Sequence, residues 1–332
     1  MKRDKIGTQM TISDSESKRH EIQFINGKIK LSDSLVKETI ETSEKIYSEN
    51  SDEEKADLCE LWASITIIGW FMGSKYMDNA MKPFDDDNGL EWREDLDRIP
   101  ARYSVLPKSW PKIIDYSKYL ESVFCCEGFE SKRDELSGKS YDSCLFELKV
   151  ASTFVDNGCR LVFVRTSKKK TVEFIVEDII KIECKRKEWD GDSKSLRNSI
   201  ESFINDTLEK LNDDHGVLLI LIETERAMKQ KEIELLEKIT DDVIDTTRIE
   251  THDFNEKIDG IVIWNEYTNV DKKLNIRGNK TKEVYVFPGL NYPMLPKSVK
   301  FTIENFCYTE RFVCWIDYKG LYSSRRRKLQ RF

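Results

Sequence analysis

Three acidic residues and one lysine in the middle of the chain have the types and the spacing that could support metal-assisted chemistry. Glu173 and Glu183 lie ten residues apart, Lys185 follows two residues later, and Glu147 precedes all three. Carboxylate oxygens are the ligands that hard cations such as Mg²⁺ prefer. A lysine ammonium beside such a cation can stabilise negative charge that develops on a reacting substrate. These four residues are therefore the candidate catalytic group.

Glu147 lies in a segment of helical periodicity, residues 143–157, on the apolar stripe of the expected helix. The apolar members of that stripe are Cys144, Leu148, Ala151, Phe154 and Val155. A carboxylate on a core-facing stripe costs free energy unless a cation pairs with it or it coordinates a metal. The alternative is a glutamate at the margin of the stripe that reaches solvent or pairs with a lysine.

The other three candidates lie in segments that alternate as β-strands do. Glu173 shares a strand face with Ile175 in the sequence TVEFIVED. In IIKIECKRK, the alternation places Ile180, Ile182 and Cys184 on one face, and Lys181, Glu183, Lys185 and Lys187 on the other. The second face can also be an ordinary charged sheet surface, so this pattern alone leaves a structural role open.

The flanking sequence predicts the strands and helices that would position these residues. RLVFVRT, TVEFIVED and IIKIECKRK are strand-like runs, SLRNSIESFINDTLEKL is an amphipathic helix, and GVLLILI is a fully apolar strand. A charged helix around residues 225–239 and strands at residues 260–264, 284–287 and 311–318 are expected to follow. The order helix, three strands, helix, strand predicts an α/β fold with a mixed β-sheet flanked by helices.

The first part of the chain predicts a separate, mainly helical unit. Residues 1–34 show little patterning and are assigned to an N-terminal arm or a small hairpin. Ser51 and Glu54 form a capping box that opens a long helix with apolar residues on most sides. We therefore predict a mainly helical domain at residues 35–137 and a second domain at residues 138–332. The helical domain could assemble the protein as a homo-oligomer or with a partner subunit.

The residues Glu173, Glu183-Cys184-Lys185 and the helix acid Glu147, in this order of elements, resemble the PD-(D/E)XK nuclease superfamily. The resemblance covers residues 143–222. The first strand acid of that superfamily is usually aspartate, often after proline, whereas here Glu173 follows Val172. The resemblance implies a restriction-endonuclease-like fold and an endonuclease that depends on Mg²⁺ or Mn²⁺.

The same resemblance implies a role for each candidate residue. Glu173, Glu183 and the backbone carbonyl of Cys184 would bind the metal. Glu147 would complete the coordination shell or hold a second ion through water. Lys185 would orient the attacking water and stabilise the transition state. Asp178 is a poorer first acid than Glu173, because only five residues separate it from Glu183.

Charge and composition limit the kinds of partner that the protein can bind. The net charge of -7 means that nucleic acid would have to bind at local basic patches, although such patches are also common on ordinary solvated surfaces. The basic residues expected to contact it are Lys168, Lys169, Lys170, Lys187, Lys194, Arg197, Arg325, Arg326 and Arg327. Scattered cysteines and the lack of an apolar leader or membrane-length apolar run predict a cytoplasmic protein without a membrane partner.

Two classes of function fit these features. The first is an active metal-dependent nuclease, with DNA favoured over RNA, in a restriction or anti-phage defence role that the resemblance suggests. The second is a degenerate member of the same fold that binds nucleic acid or a partner protein as a scaffold without cutting. Suitable residues at all four positions favour the enzyme.

Overall fold

The computed structural model describes residues 22–73, 110–136, 141–164, 171–212, 214–224, 226–251, 253–271, 276–305 and 314–321. The chain divides into two compact units. Unit 1 comprises Met1–Cys125 and Phe312–Phe332, and unit 2 comprises Cys126–Arg311. The sequence placed the boundary after residue 137 and assigned the C-terminal residues to the second domain.

Unit 1 is built from a small hairpin and helices, which are numbered in chain order over the described residues. These are β1 (Ile22–Ile25), β2 (Lys28–Leu31), α1 (Asp33–Ile46), α2 (Asp52–Met72), α3 (Trp110–Val123) and a 3-10 turn (Tyr318–Gly320). The predicted capping box at Ser51 and Glu54 is confirmed, with both of its reciprocal hydrogen bonds present. More than half of the 21 residues of α2 are buried, as its apolar pattern predicts.

Glu60, on α2, is a buried carboxylate that holds the C-terminal segment of unit 1. Its two oxygens accept the main-chain N–H groups of Trp315 and Ile316 at 2.9–3.1 Å. The strand predicted at residues 311–318 is therefore wrong for residues 314–318, because these N–H groups bind a side chain and not a neighbouring strand. Burial raises the pKa of Glu60 to about 7, although both N–H donors lower it.

The raised pKa of Glu60 predicts that unit 1 loses stability as pH rises. A carboxyl that binds its proton more tightly when folded stabilises the protein below its unfolded pKa of 4.5 and loses this contribution as pH rises through about 7. Glu60→Gln should remove this dependence, which amounts to roughly 3 kcal/mol at most. Urea unfolding between pH 4.5 and 8 measures it. Glu53→Gln changes an exposed acid on the same helix and should leave the dependence of the unfolding free energy on pH as in the wild type. An unchanged pH dependence in Glu60→Gln would contradict this explanation.

Unit 2 alternates helices and strands along the chain. Its elements are α4 (Phe129–Leu136), α5 (Tyr141–Asp156), β3 (Leu161–Phe163), β4 (Phe174–Val176), β5 (Ile180–Glu188), α6 (Ser193–Leu211), β6 (Gly216–Thr224), α7 (Gln230–Glu250), α8 (Phe254–Lys257), β7 (Ile258–Asp271), β8 (Ile276–Pro288) and α9 (Lys297–Glu304). The predicted order of helix, three strands, helix and strand is confirmed between α5 and β6. The charged helix and the last two strands are longer than predicted.

The six strands form one mixed sheet in the order β3-β4-β5-β6-β7-β8. The first three strands pair antiparallel, β5, β6 and β7 run parallel, and β8 returns antiparallel to β7. Parallel neighbours need a crossover, which α6 supplies between β5 and β6 and α7 supplies between β6 and β7. The predicted α/β architecture with a mixed sheet flanked by helices is therefore present.

Helices cover both faces of this sheet. On one face α5 packs against the strands, where Phe146 meets Trp264 and Phe154 meets Phe174. On the other face α6 and α7 enclose an apolar core that includes Leu218, Ile220 and Ile222 of β6. Strand β6 is buried on both sides, which explains its continuous apolar sequence. None of the described helices has both the length and the apolar character that a membrane crossing requires.

Candidate active site

Glu147 lies on α5 and faces the sheet, where only 5% of its surface is exposed. The helix begins at Tyr141 and ends at Asp156, close to the predicted bounds. Apolar neighbours on the same stripe, including Leu148 and Ala151, are fully buried. The prediction of an acid inside the apolar stripe is therefore confirmed. Of the alternative, the part in which Glu147 reaches solvent is wrong, whereas the part in which it pairs with a lysine is confirmed, because Lys132 lies 3.5 Å from Oε2 of Glu147.

Glu173 immediately precedes β4 and is held by main-chain hydrogen bonds on both sides. Its N–H donates to the carbonyl of Ile182 at 3.1 Å, and its carbonyl accepts the N–H of Val164 at 3.2 Å. The antiparallel register pairs Phe174 with Ile182, the residue whose carbonyl also accepts the N–H of Glu173, so Glu173 lies at the start of β4 beside the end of this pairing. The Glu173 side chain is 9% exposed. Two acids that are ten residues apart in the chain are thus brought close enough that Glu173 raises the pKa of Glu183.

A tight turn makes this register possible. Residues 177–179 connect β4 to β5, and Glu177 and Asp178 both adopt positive φ values, 51° and 64°. Two consecutive residues in that region suit a short hairpin turn. Asp178 lies in this turn, is exposed, and accepts a hydrogen bond from Arg160 at 2.7 Å. Asp178 is therefore an exposed turn residue, whereas Glu173 is buried.

Strand β5 alternates as predicted, but its charged face is not a solvated surface. Ile180, Ile182 and Cys184 are buried on the face toward α5. On the other face Glu183 is only 1% exposed, because α6 covers it. The interpretation of this face as an ordinary exposed sheet surface is therefore wrong at Glu183.

Three lysines accompany the three buried acids. Lys132, on α4, donates to Glu173 and lies 3.5 Å from an oxygen of Glu147. Lys210, on α6, donates to Oε1 of Glu183 at 2.6 Å. Burying a carboxylate without a compensating cation or hydrogen bonds costs several kcal/mol, so these contacts are a condition for the arrangement.

Lys185 lies between Glu183 and α6. Its Nζ is 3.2 Å from Oε1 of Glu183 and donates to Asp206 at 2.5 Å. Burial alone would lower the pKa of Lys185, but Glu183 and Asp206 outweigh it and raise the pKa. The lysine therefore keeps its positive charge, and its side chain remains 17% exposed at the rim of the group.

Burial also changes the acidity of Glu183. It raises the pKa of this carboxyl, Lys210 and Lys185 lower it, and the nearby Glu173 raises it further. The second oxygen of Glu183, Oε2, is buried and has no hydrogen-bond partner among the described residues.

The thiol of Cys184 is influenced by all three acids. Burial raises the pKa of its thiol well above the usual value, and Glu147, Glu173 and Glu183 each raise it further. Lys132 acts in the opposite direction. All three acids are therefore close enough to Cys184 to act on its thiol, and Cys184 is the residue whose carbonyl was expected to bind a metal.

The acidic side chains of this group are of the chemical type that binds a hard cation. Buried carboxylates such as Glu147, Glu173 and Glu183 are the ligands that Mg²⁺ or Mn²⁺ prefers. Within the described ranges, however, no group of three or more acidic, cysteine or histidine side chains stands in an arrangement ready to hold a metal. The ammonium of Lys132 instead contacts both Glu147 and Glu173.

Sequence reasoning missed Lys132, Asp206 and Lys210. Asp206 and Lys210 are four residues apart and so share one face of α6, the face that covers β5. That spacing was a usable signal, since it places an acid and a base beside a predicted charged strand. Lys132 gave no such signal, because its helix precedes the motif and its contacts form only in the folded unit.

The residues predicted to contact nucleic acid divide into described and undescribed ones. Lys187 donates to Ser195 at 2.9 Å, Arg197 donates to Asp242 at 2.8 Å, and Lys194 is exposed. Lys168, Lys169, Lys170, Arg325, Arg326 and Arg327 lie outside the described residues. A groove along α6 is lined by Asn198, Glu201, Ser202, Asn205, Asp206 and Glu209; it is acidic and does not favour a phosphate backbone.

Comparisons of the chain with protein-family models, curated proteins and solved structures found no match. The residues and geometry of this chain therefore carry the functional proposal on their own.

The lysine–carboxylate contacts predict a stability effect that can be measured. Lys210→Met should destabilise unit 2 by about 2 kcal/mol, because Glu183 then stays buried with less compensation. The double variant Glu183→Gln/Lys210→Met should recover part of this loss, since both partners are then neutral. Lys194→Met, at an exposed position of the same helix, is the control. Additive effects of the two single changes in urea unfolding would show that the pair does not interact.

Proposed function

We propose that this chain is a metal-dependent nuclease of the PD-(D/E)XK type that hydrolyses phosphodiester bonds in DNA. The observation that carries the proposal is the closeness of Glu173, at the start of β4, to Glu183 on β5, with Lys185 two residues further along β5. The order of elements from α5 to β6 supports it. A cytoplasmic role in restriction or anti-phage defence would suit such an activity, and unit 1 would then serve recognition or assembly.

The acids would act as metal ligands. Glu173 and Glu183 would hold Mg²⁺ or Mn²⁺ together with the backbone carbonyl of Cys184, and Glu147 would complete the shell. The unpartnered Oε2 of Glu183 supports this assignment. A bound divalent ion would supply charge neutralisation and a water of lowered pKa.

Lys185 would act on the substrate side. Its retained positive charge and partial exposure suit a group that orients the attacking water and stabilises charge on the phosphate oxygens. Asp206 would position this lysine through the 2.5 Å hydrogen bond. Lys210 would position Glu183 in the same way, by holding Oε1 while leaving Oε2 for a ligand.

A second candidate is a degenerate module that binds nucleic acid or a partner without cutting. The observation that favours it is that each buried acid already has a lysine nearby, with Lys132 at Glu147 and Glu173 and Lys210 at Glu183. Such pairing can stabilise a fold without any metal. Cleavage assays separate the two candidates.

Cleavage should require both a strand acid and the lysine. With plasmid, linear and single-stranded DNA and RNA, the wild type should cut DNA in Mg²⁺ or Mn²⁺ and not in EDTA. Glu183→Gln and Lys185→Met should each lower the rate by on the order of 100-fold or more, the loss typical of a charge-stabilising group. Lys181→Met is the matched control, because Lys181 shares the strand face but pairs with the exposed Asp214. Full activity in either site variant would overturn the site assignment.

Binding should depend steeply on salt, because an acidic chain must hold the substrate through local basic residues. Lys194→Ala and Arg197→Ala should each lower the slope of log affinity against log salt by about one unit on duplex DNA. They should do so for every sequence, since phosphate contacts do not read bases. Lys297→Ala, an exposed lysine on α9, should leave the slope unchanged. If neither variant changes the slope, the surface at the start of α6 is not the substrate path.

A further inference from the structure

Lysine side chains are rarely this buried, and those that are have an ionic partner; Lys132 is such a residue. It is 1% exposed and lies on the short helix α4. Its ammonium contacts Glu173 directly and lies 3.5 Å from Glu147. One positive charge thus stands between two acids that come from different elements.

The backbone that delivers this side chain is fixed. Gly128 precedes α4 with a φ of 79°, and a Cβ at this position would lie 2.3 Å from the carbonyl oxygen of Phe163. Only glycine allows such a close approach of the chain to β3. Phe129 then packs against the ring of Phe163. Because α4 is anchored to the sheet in this way, we expect that the ammonium of Lys132 can move away from Glu147 and Glu173 only by a rotation of its side chain, and not by a movement of the helix.

We propose that Lys132 acts as a resident cation that a divalent ion must displace before Glu147 and Glu173 can bind it. This inference rests on the proposed function, since it concerns the same acids. Two neighbouring buried carboxylates repel each other unless a positive charge separates them. The lysine supplies that charge in the metal-free protein and so stabilises the fold at the expense of metal affinity. Metal binding and the folded stability of unit 2 are therefore linked through one side chain.

The lysine contacts of Glu183 differ from those of Glu147 and Glu173. Lys210 and Lys185 contact its Oε1, while Oε2 remains without a partner among the described residues. A divalent ion can therefore bind Oε2 of Glu183 without displacing a lysine. Glu173 and Glu147 can bind the ion only when the ammonium of Lys132 moves. The geometry thus assigns Lys132 as the residue that sets the metal concentration at which the site fills.

The test compares Mn²⁺ binding to the full chain, measured by electron paramagnetic resonance of the free ion, in the wild type and in Lys132→Met. The variant should bind Mn²⁺ roughly tenfold more tightly, a typical size for a coupling between two binding events. Its melting temperature should fall below that of the wild type in EDTA, and Mn²⁺ should narrow this difference. Lys149→Met is the matched control, because Lys149 is also a buried lysine paired with a glutamate, Glu266. It should lower the melting temperature without tightening Mn²⁺ binding.

Equal or weaker Mn²⁺ binding by Lys132→Met, with a wild type that binds Mn²⁺ and cuts DNA, would overturn this inference and leave the proposed function intact. No Mn²⁺ binding by either protein and no cleavage would overturn both. Binding by the variant alone would support the inference. If Lys132→Met does not fold, Lys132→Arg keeps the charge and offers a bidentate partner to the acids, so it should bind Mn²⁺ more weakly than the wild type. Tighter binding by Lys132→Arg would contradict the proposal.

Discussion

The arrangement of unit 2 depends on one electrostatic constraint, the burial of three carboxylates near β5 in a sheet covered by helices. Glu147, Glu173 and Glu183 come from a helix and two strands, and none is more than 7% exposed. Carboxylates in that environment need positive charge close by. Three lysines from three elements, Lys132, Lys185 and Lys210, supply it. The acids therefore stay buried only if α4, β5 and α6 all take their places.

Unit 1 meets the same physical problem in a different way. Glu60 is also buried, but main-chain N–H groups of the C-terminal segment, and not lysine side chains, bind its oxygens. Its pKa is raised to about 7, so the carboxyl takes up a proton near neutral pH. The pKa of Lys185 is raised as well, which keeps charge on the lysine. Hydrogen bonds to Glu60 fix a chain segment, whereas Oε2 of Glu183 in unit 2 has no hydrogen-bond partner among the described residues.

Much of the scaffold could be predicted from residue patterns. The alternation of β5, the apolar run of β6 and the capping box of α2 are local signals, and the structure bears all three out. The ten-residue interval between Glu173 and Glu183 matches a strand pair joined by the tight turn at Glu177 and Asp178. The partners of the acids could not be predicted in the same way. Lys132 and Lys210 reach the site from helices outside the strand pair. The strand expected at 311–318 is absent over residues 314–318, where Cys314, Trp315 and Ile316 bind Glu60, 254 or more residues away in the chain.

The most direct test of a metal site at these acids is a crystal structure of the chain grown with Mn²⁺ and measured at the manganese absorption edge. The account predicts an anomalous peak at coordination distance from Oε2 of Glu183 and from a carboxylate oxygen of Glu173, with the ammonium of Lys132 moved away from the acids. A chain saturated with Mn²⁺ that shows no peak at these oxygens, or a peak only elsewhere, would contradict it.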